Sequence, residues 1–283
     1  MDYTKEIREI ATKLFAEGKI DVFVGYRMTG FDENQVPVII SGLEDVPMLI
    51  FNDRSVFNLA NYLKQEHTRK KRVGLIVKGC DSRSLNLLLT ENQVNRERLF
   101  VIGIACEGIC DQEGNKMQHC KECVFPDAVV YDQMVGTPHD ARQYQVNADV
   151  RELASKSLVE RREYFETVFE SCIRCNACRH SCPLCYCAKC VIDQETSTLY
   201  HGSNTTSSAF HALMTWSLHL AGRCVDCRNC ERACPMGLPL HLLHKQNENT
   251  IYGNFQGHLA GVVDGDRGAF YKYNMNDPDD FIM

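Results

Sequence analysis

The chain has 283 residues, enough for two domains, with 44% apolar residues and a formal net charge of −6. Both charge signs are spread along it, which excludes the basic stripe of a nucleic-acid-binding protein. The longest apolar runs, such as Leu99–Cys106, are too short to span a bilayer, so the chain is not expected to be membrane-spanning. In chain order, Ile7, Ile10, Ala11 and Leu14 recur at helical spacing ahead of Gly18, a helix stop. Ile20–Tyr26, Val36–Ile40 and Val46–Phe51 read as short strands, punctuated by Gly and Pro. Val56, Leu59, Ala60 and Leu63 form a second helical stripe, with Asn52 or Asp53 as its cap. Val73–Val77 then reads as a strand, roughly Ser82–Leu89 as a helix and Leu99–Ala105 as a strand, an alternation that argues for a parallel sheet. Two loops end these strands, Gly79-Cys80-Asp81 and Cys106-Glu107-Gly108-Ile109-Cys110. Ligand sites in such sheets gather beyond the carboxyl ends of the strands, so neighbouring strands would bring both cysteine loops to one edge. Asp149–Phe169 reads as a long charged helix, and Ser203–Leu220 as another with Ala209, Leu213, Trp216 and Leu220 on one face. After Tyr252 the chain turns polar, as a mobile tail would.

The unusual feature is 16 cysteines, none before Cys80 and most of them between Cys172 and Cys234. Met1-Asp2-Tyr3-Thr4-Lys5-Glu6 has no apolar core of signal-peptide type, so a cytoplasmic location is expected. Reducing compartments keep thiols free, and clustered cysteines there read as metal ligands. Cys172-Ile173-Arg174-Cys175-Asn176-Ala177-Cys178-Arg179-His180-Ser181-Cys182-Pro183 has the spacing C-x2-C-x2-C-x3-C-P. The same spacing returns in Cys224-Val225-Asp226-Cys227-Arg228-Asn229-Cys230-Glu231-Arg232-Ala233-Cys234-Pro235. Three thiolates on one tight loop can wrap one face of a 4Fe–4S cube, and the fourth comes from a distant segment. In two-cluster proteins the fourth cysteine of each run ligates the other cluster. Cys172, Cys175, Cys178 and Cys234 are therefore expected to hold one cube, and Cys182, Cys224, Cys227 and Cys230 the second. Zinc sites pair two C-x2-C hooks and do not need a three-cysteine loop with a C-P ending. The long spacer with its helix around Trp216 resembles the α-helical ferredoxins of heterodisulfide reductase and succinate dehydrogenase subunits. Arg174, Arg179, Arg223, Arg228 and Arg232 surround these runs, either favouring the reduced clusters, solvated, or held in salt bridges.

The expected architecture is thus α/β, an N-terminal domain with a mostly parallel sheet followed by a mainly α-helical dicluster ferredoxin-like domain. The expected divisions are residues 1–150, 151–250 and an extended polar tail over 251–283.

Cys106, Cys110, Cys120 and Cys123, spaced C-x3-C-x9-C-x2-C, suggest a further metal site. A third 4Fe–4S cube is the first choice, with zinc and buried unligated thiols as alternatives. The remaining cysteines are Cys80, Cys185, Cys187 and Cys190. They are assigned together to a fourth cube bridging the N-terminal site and the dicluster module. A solvent ligand, a zinc ion or a redox-active thiol pair are the alternatives. His119 and His180 lie beside cysteines as substitute ligands, while His241 and His244 suit a solvated face or a packing role.

Lys78-Gly79-Cys80-Asp81-Ser82-Arg83, Ile104-Ala105-Cys106-Glu107-Gly108-Ile109-Cys110 and Cys182-Pro183-Leu184-Cys185-Tyr186-Cys187 carry a second resemblance. Over most of residues 70–240 the chain resembles the beta subunits of deazaflavin-linked hydrogenases and formate dehydrogenases. That resemblance implies an electron-transfer subunit of a multi-subunit anaerobic oxidoreductase, partnered by catalytic and other redox subunits. Better-known members bind FAD and reduce the deazaflavin, so an FAD-containing subunit reducing a deazaflavin or nicotinamide carrier is the alternative. No G-x-G-x-x-G follows a strand here. No hydrolytic or nucleophilic constellation stands out, and a regulatory iron–sulfur protein would need a helix-turn-helix or basic stripe that is missing.

Overall fold

The computed structural model describes residues 1–30, 34–140, 142–194, 205–265, 267–271 and 275. It is mixed α/β, with a mostly parallel sheet in the N-terminal part and a helical C-terminal region. Contacts divide the chain into two units, Met1–Gln145 with Gly261–Asp266, and Val146–Ala260 with Arg267–Met283.

In the first unit, α1 (Thr4–Ala16) buries Ile7, Ala11 and Leu14 as one stripe, and the chain turns at Gly18, whose φ is 60°. β1 (Val22–Met28) pairs antiparallel with β2 (Gln35–Ile40). Pro37 has no N–H to give a ladder, and β2 lies at the sheet edge, where that is tolerated. After the one-turn α2 (Glu66–Arg69) come β3 (Val73–Val77), α3 (Gly79–Thr90), β4 (Leu99–Ile104), α4 (Gln118–Lys121) and β5 (Gln133–Val135). The strand order is β2-β1-β3-β4-β5, parallel from β1 to β5. All five residues of β3 are buried, as expected of a central parallel strand. Val77 faces Gly103 across the β3–β4 ladder, so Lys78–Asp81 and Cys106 leave the sheet at the same edge.

Three local expectations need correction. Residues 46–51 form no strand: a 3-10 helix covers Leu43–Met48 with Pro47 inside it, and only Ile50 bridges Tyr26. Proline's missing donor and fixed φ oppose a ladder there. The stripe at Val56–Leu63 becomes a 3-10 helix over Leu59–Lys64, capped by Asn58, whose side chain accepts from the Ala60 N–H at 3.1 Å. Asn52 is engaged elsewhere, accepting from the Arg54 N–H at 2.9 Å. Finally, α3 starts at Gly79 rather than near Ser82, because the Asp81 carboxylate accepts the Lys78 N–H at 3.1 Å and closes the first turn. Cys80 therefore lies on a helix and not in a loop.

The second unit contains α5 (Ala148–Ser155), α6 (Leu158–Glu170), α7 (Ala177–Ser181), α8 (Thr206–His219), α9 (Asn229–Arg232) and α10 (His241–Asn254). The single helix expected over 149–169 is two. Ser157 interrupts it with a capping box, its Oγ accepting from the Glu160 N–H at 3.2 Å while Glu160 accepts the Ser157 N–H at 2.7 Å. Val150, Leu153 and Leu242 form a buried cluster with Val146, Tyr164 and Phe165 against it. On α8, Ala209, Leu213 and Trp216 are buried, as the stripe predicts; Ser203, placed at its start by the sequence, lies outside the described residues. Among the described residues no helix is long and apolar enough to cross a membrane.

Candidate metal centres

The two cysteine runs fold alike. Around the second cysteine of each, non-glycine residues take left-handed backbone: Arg174 (φ 53°) and Asn176 (φ 59°) in the first run, Asp226 (φ 56°) and Arg228 (φ 58°) in the second. Each such residue costs on the order of 1–3 kcal/mol and persists where the surroundings demand it. Alternation of right- and left-handed residues turns successive N–H groups into one concavity, a nest that receives anions, iron–sulfur clusters among them. The sulfurs take part. Backbone N–H groups of Arg174, Arg179, Leu184 and Asp226 donate to Cys172, Cys178, Cys182 and Cys224. The Leu238 N–H reaches Cys234 Sγ at 3.5 Å.

Cys172, Cys175, Cys178 and Cys234 line one pocket, closed on the inside by Ala209, Ala212 and Leu213 of α8. Ile173 and Met236, on its rim, are exposed. Cys227 lies close enough to Cys182, Cys224 and Cys230 for its charge to raise the pKa of each. Burial pushes the Cys178 and Cys224 thiols up to about 12, so without metal both keep their protons near neutrality. Cluster insertion must displace those protons, which couples loading to pH. Among the described residues no group of three His, Cys, Asp or Glu side chains is placed to hold a single metal ion. Zinc draws its sulfurs to roughly 3.8 Å from one another, whereas a cube takes one thiolate per iron and needs a wider ring. Four cysteines lining one pocket, three of them accepting from backbone N–H groups, suit the one thiolate per iron that a cube takes.

Residues 171–239 match the family described as the 4Fe-4S dicluster domain. The helical region contains a 4Fe-4S dicluster domain. A separate comparison finds a stretch of 100 residues that is 30% identical to the F420-dependent formate dehydrogenase subunit beta of Methanocaldococcus jannaschii. The match covers 35% of this chain and 26% of that relative, so the chain spans about a quarter of the relative's length.

The arginines of the dicluster domain are mostly paired. Arg179 binds Asp193 with both oxygens, at 2.5 and 2.6 Å. Arg228 holds Asp226 at 2.6 Å and Glu231 at 3.1 Å. Arg174 donates to Ser208 at 2.5 Å, and Arg232 to the Cys227 carbonyl at 2.5 Å. They therefore clamp the cysteine loops as well as adding charge beside them. Nothing in the cysteine spacing signals the left-handed residues or these pairings; the repetition of C-x2-C-x2-C is their only trace. His241 bridges Glu231 and Asp149, the latter at 2.6 Å.

His244 packs edge-on against Trp216 with ring centroids 4.4 Å apart, a packing role. Burial lowers its pKa to about 4. The unfolded chain, with an ordinary imidazole near 6.5, binds that proton more readily. Stability is thus complete above about pH 6.5 and falls by up to about 1.4 kcal/mol per unit as pH drops toward 4. Replacing His244 with Phe should flatten that slope in denaturant titrations across pH 4–7; an unchanged slope would refute this role.

Trp216 also donates from Nε1 to Cys185 Sγ at 3.1 Å. Cys185, Cys187 and Cys190 line a single cavity of about 620 Å3. Cys80 belongs to the first unit, in the first turn of α3, its Sγ 3.8 Å from Asp81 Oδ1. Also in the first unit, Cys106 is buried, its thiol pushed up to about 12 by that burial and raised further by Cys120 and Cys123, while the Gly108 N–H and the charge of Lys78 act in the opposite direction. Those three cysteines are thereby brought together, Cys120 from α4 and Cys123 from just beyond it. The Cys110 thiol hydrogen bonds to the Asp53 carboxylate, and its backbone N–H meets the Asp53 carbonyl at 2.7 Å.

Proposed function

We propose that this chain is the electron-transfer iron–sulfur subunit of a multi-subunit oxidoreductase of the formate dehydrogenase type. The observation that carries the proposal is the pocket where the first run's Cys172, Cys175 and Cys178 meet Cys234 of the second. That exchange of fourth ligands suits two adjacent cubes, and Cys182, Cys224, Cys227 and Cys230 are assigned to the second. A 4Fe–4S cube supplies one-electron transfer at a potential set by hydrogen bonds to sulfur, local charge and exposure. Here backbone N–H groups and paired arginines serve those sulfurs, and Cys175 reaches the surface, where a partner could deliver or take an electron. Cys106, Cys120 and Cys123, with Cys110, are proposed to form a further centre in the first unit.

Catalytic and other redox subunits are the proposed partners, and the relative's name points to formate oxidation and F420. Fold alone does not carry a reaction, and the residues described supply no catalytic constellation of their own. Accordingly the isolated chain, purified without oxygen, should be reduced by dithionite and reoxidised within seconds by one-electron acceptors, yet fail to oxidise formate or hydrogen. Robust formate oxidation by the lone chain would overturn the proposal. The alternative, an FAD-containing subunit that reduces F420 or a nicotinamide, is separated by extracting flavin from the same preparation. One flavin per chain would favour it.

A further inference from the structure

We infer that Cys185, Cys187 and Cys190 bind a third iron–sulfur cluster wholly within the second unit, with an imidazole of the same cavity as fourth ligand. This rests on the reading of the chain as a cluster carrier. The C-x-C-x2-C segment folds so that all three thiols line one cavity of about 620 Å3, a volume typical of ligand sites. Three thiolates leave one iron of a cube without a protein ligand. Besides the cysteines, the metal-ligating side chains lining the cavity are His180, His219 and Asp193. Asp193 is committed to Arg179 through both oxygens, and an imidazole, from His180 or His219, is the nitrogen donor this lining offers.

The sulfurs are already addressed by donors. Trp216 Nε1–H points at Cys185 Sγ from 3.1 Å, and the Arg179 guanidinium hydrogen bonds to Cys190. A neutral thiol accepts weakly, whereas a metal-bound thiolate is an acceptor only, so a Trp indole and a guanidinium directed at sulfur suit the ligated form. Arg179 is 8% exposed and Trp216 is 3% exposed, so neither is a surface side chain that happens to reach inward. Cys182, assigned to the second cube, is hydrogen bonded to Cys185. The third cluster therefore adjoins the dicluster pair through neighbouring ligands, and Cys80, in the other unit, is not needed to complete it.

The test uses the full chain purified anaerobically, with iron, acid-labile sulfide and zinc counted and EPR spectra recorded after reduction. Wild type should hold about four irons and four sulfides beyond those of the variant Cys185→Ser/Cys187→Ser/Cys190→Ser, which should keep at least about eight of each from the dicluster pair, together with whatever the first-unit centre holds. His180→Ala and His219→Ala, singly, identify the imidazole: one of them should shift the EPR signal of one cluster and leave the other signals in place. Cys80→Ser should change neither count nor spectrum. Equal iron in wild type and triple variant overturns the third cluster. Zinc lost in place of iron, or loss of the same four irons in Cys80→Ser, overturns it as well. Wild type holding fewer than about eight irons would instead defeat the dicluster reading, a separable outcome.

Discussion

Cys178→Ser or Cys230→Ser should each remove about four irons and about four acid-labile sulfides from the protein, roughly one whole cube. Serine offers a poor ligand to iron, and a cube that loses one of four thiolates exposes an edge to solvent. The effect on folding is expected to be as large as that on iron. Metal binding free energy in small sites is folding free energy, on the order of 10–16 kcal/mol for structural zinc. The helices α7 and α9 are too short to persist by themselves and have left-handed entries at Asn176 and Arg228, so they depend on the cluster together with the arginine pairings around it. Loss of helical circular dichroism in parallel with loss of iron is the expected signature. Unchanged iron in both variants, or zinc without sulfide in the wild type, would refute the assignment.

Lys78→Ala is the second change expected to have a large effect, and it lies in the other unit. Lys78 and Asp81 side chains are 2% and 1% exposed and pair at 2.9 Å. The amine also donates to Tyr26 Oη at 2.6 Å and to the Phe57 carbonyl at 2.8 Å. Burial opposes the Lys78 charge, but Asp81 and its other neighbours outweigh that and raise its pKa. Removing the amine strands a buried carboxylate, which typically costs about 3–5 kcal/mol. Denaturant unfolding of the full chain should show that loss for Lys78→Ala. The double variant Lys78→Ala/Asp81→Ala should recover part of it, because no lone charge then remains. A loss in the double variant equal to the sum of the losses in Lys78→Ala and Asp81→Ala would show that the pairing itself contributes nothing.

Much of this was legible from residues alone. Periodicity placed α1, β1, β3, β4 and α8 close to where they lie, since each carries an unbroken stripe or run of apolar residues. The C-x2-C-x2-C-x3-C-P repeat pointed to a dicluster domain, and the family match over 171–239 coincides with it. Elements failed where a single residue decided the backbone. Pro47 turned an apolar run into a 3-10 helix, and Ser157 with Glu160 split a helix that hydrophobic spacing alone would continue. The site's polar surroundings were hidden for a different reason. Trp216 lies far along the chain from Cys185, and the partners of Arg179 and Arg228 depend on loop geometry that spacing does not encode. A buried lysine such as Lys78 looks, in sequence, like any surface charge.

The meeting of Cys234 with Cys172, Cys175 and Cys178 has a mechanical side. A cube in that pocket is a cross-link between segments distant in the chain, and like any cross-link it restricts the unfolded chain more as the enclosed loop lengthens. Everything from α7 through α8 to α9 lies inside that closed loop. The peptide backbone between α7 and α8 is then no longer the sole tie between the two cysteine runs. A chain nicked there would stay in one piece while iron is bound and come apart when a chelator removes it. In this domain the metal does the work that covalent continuity does elsewhere.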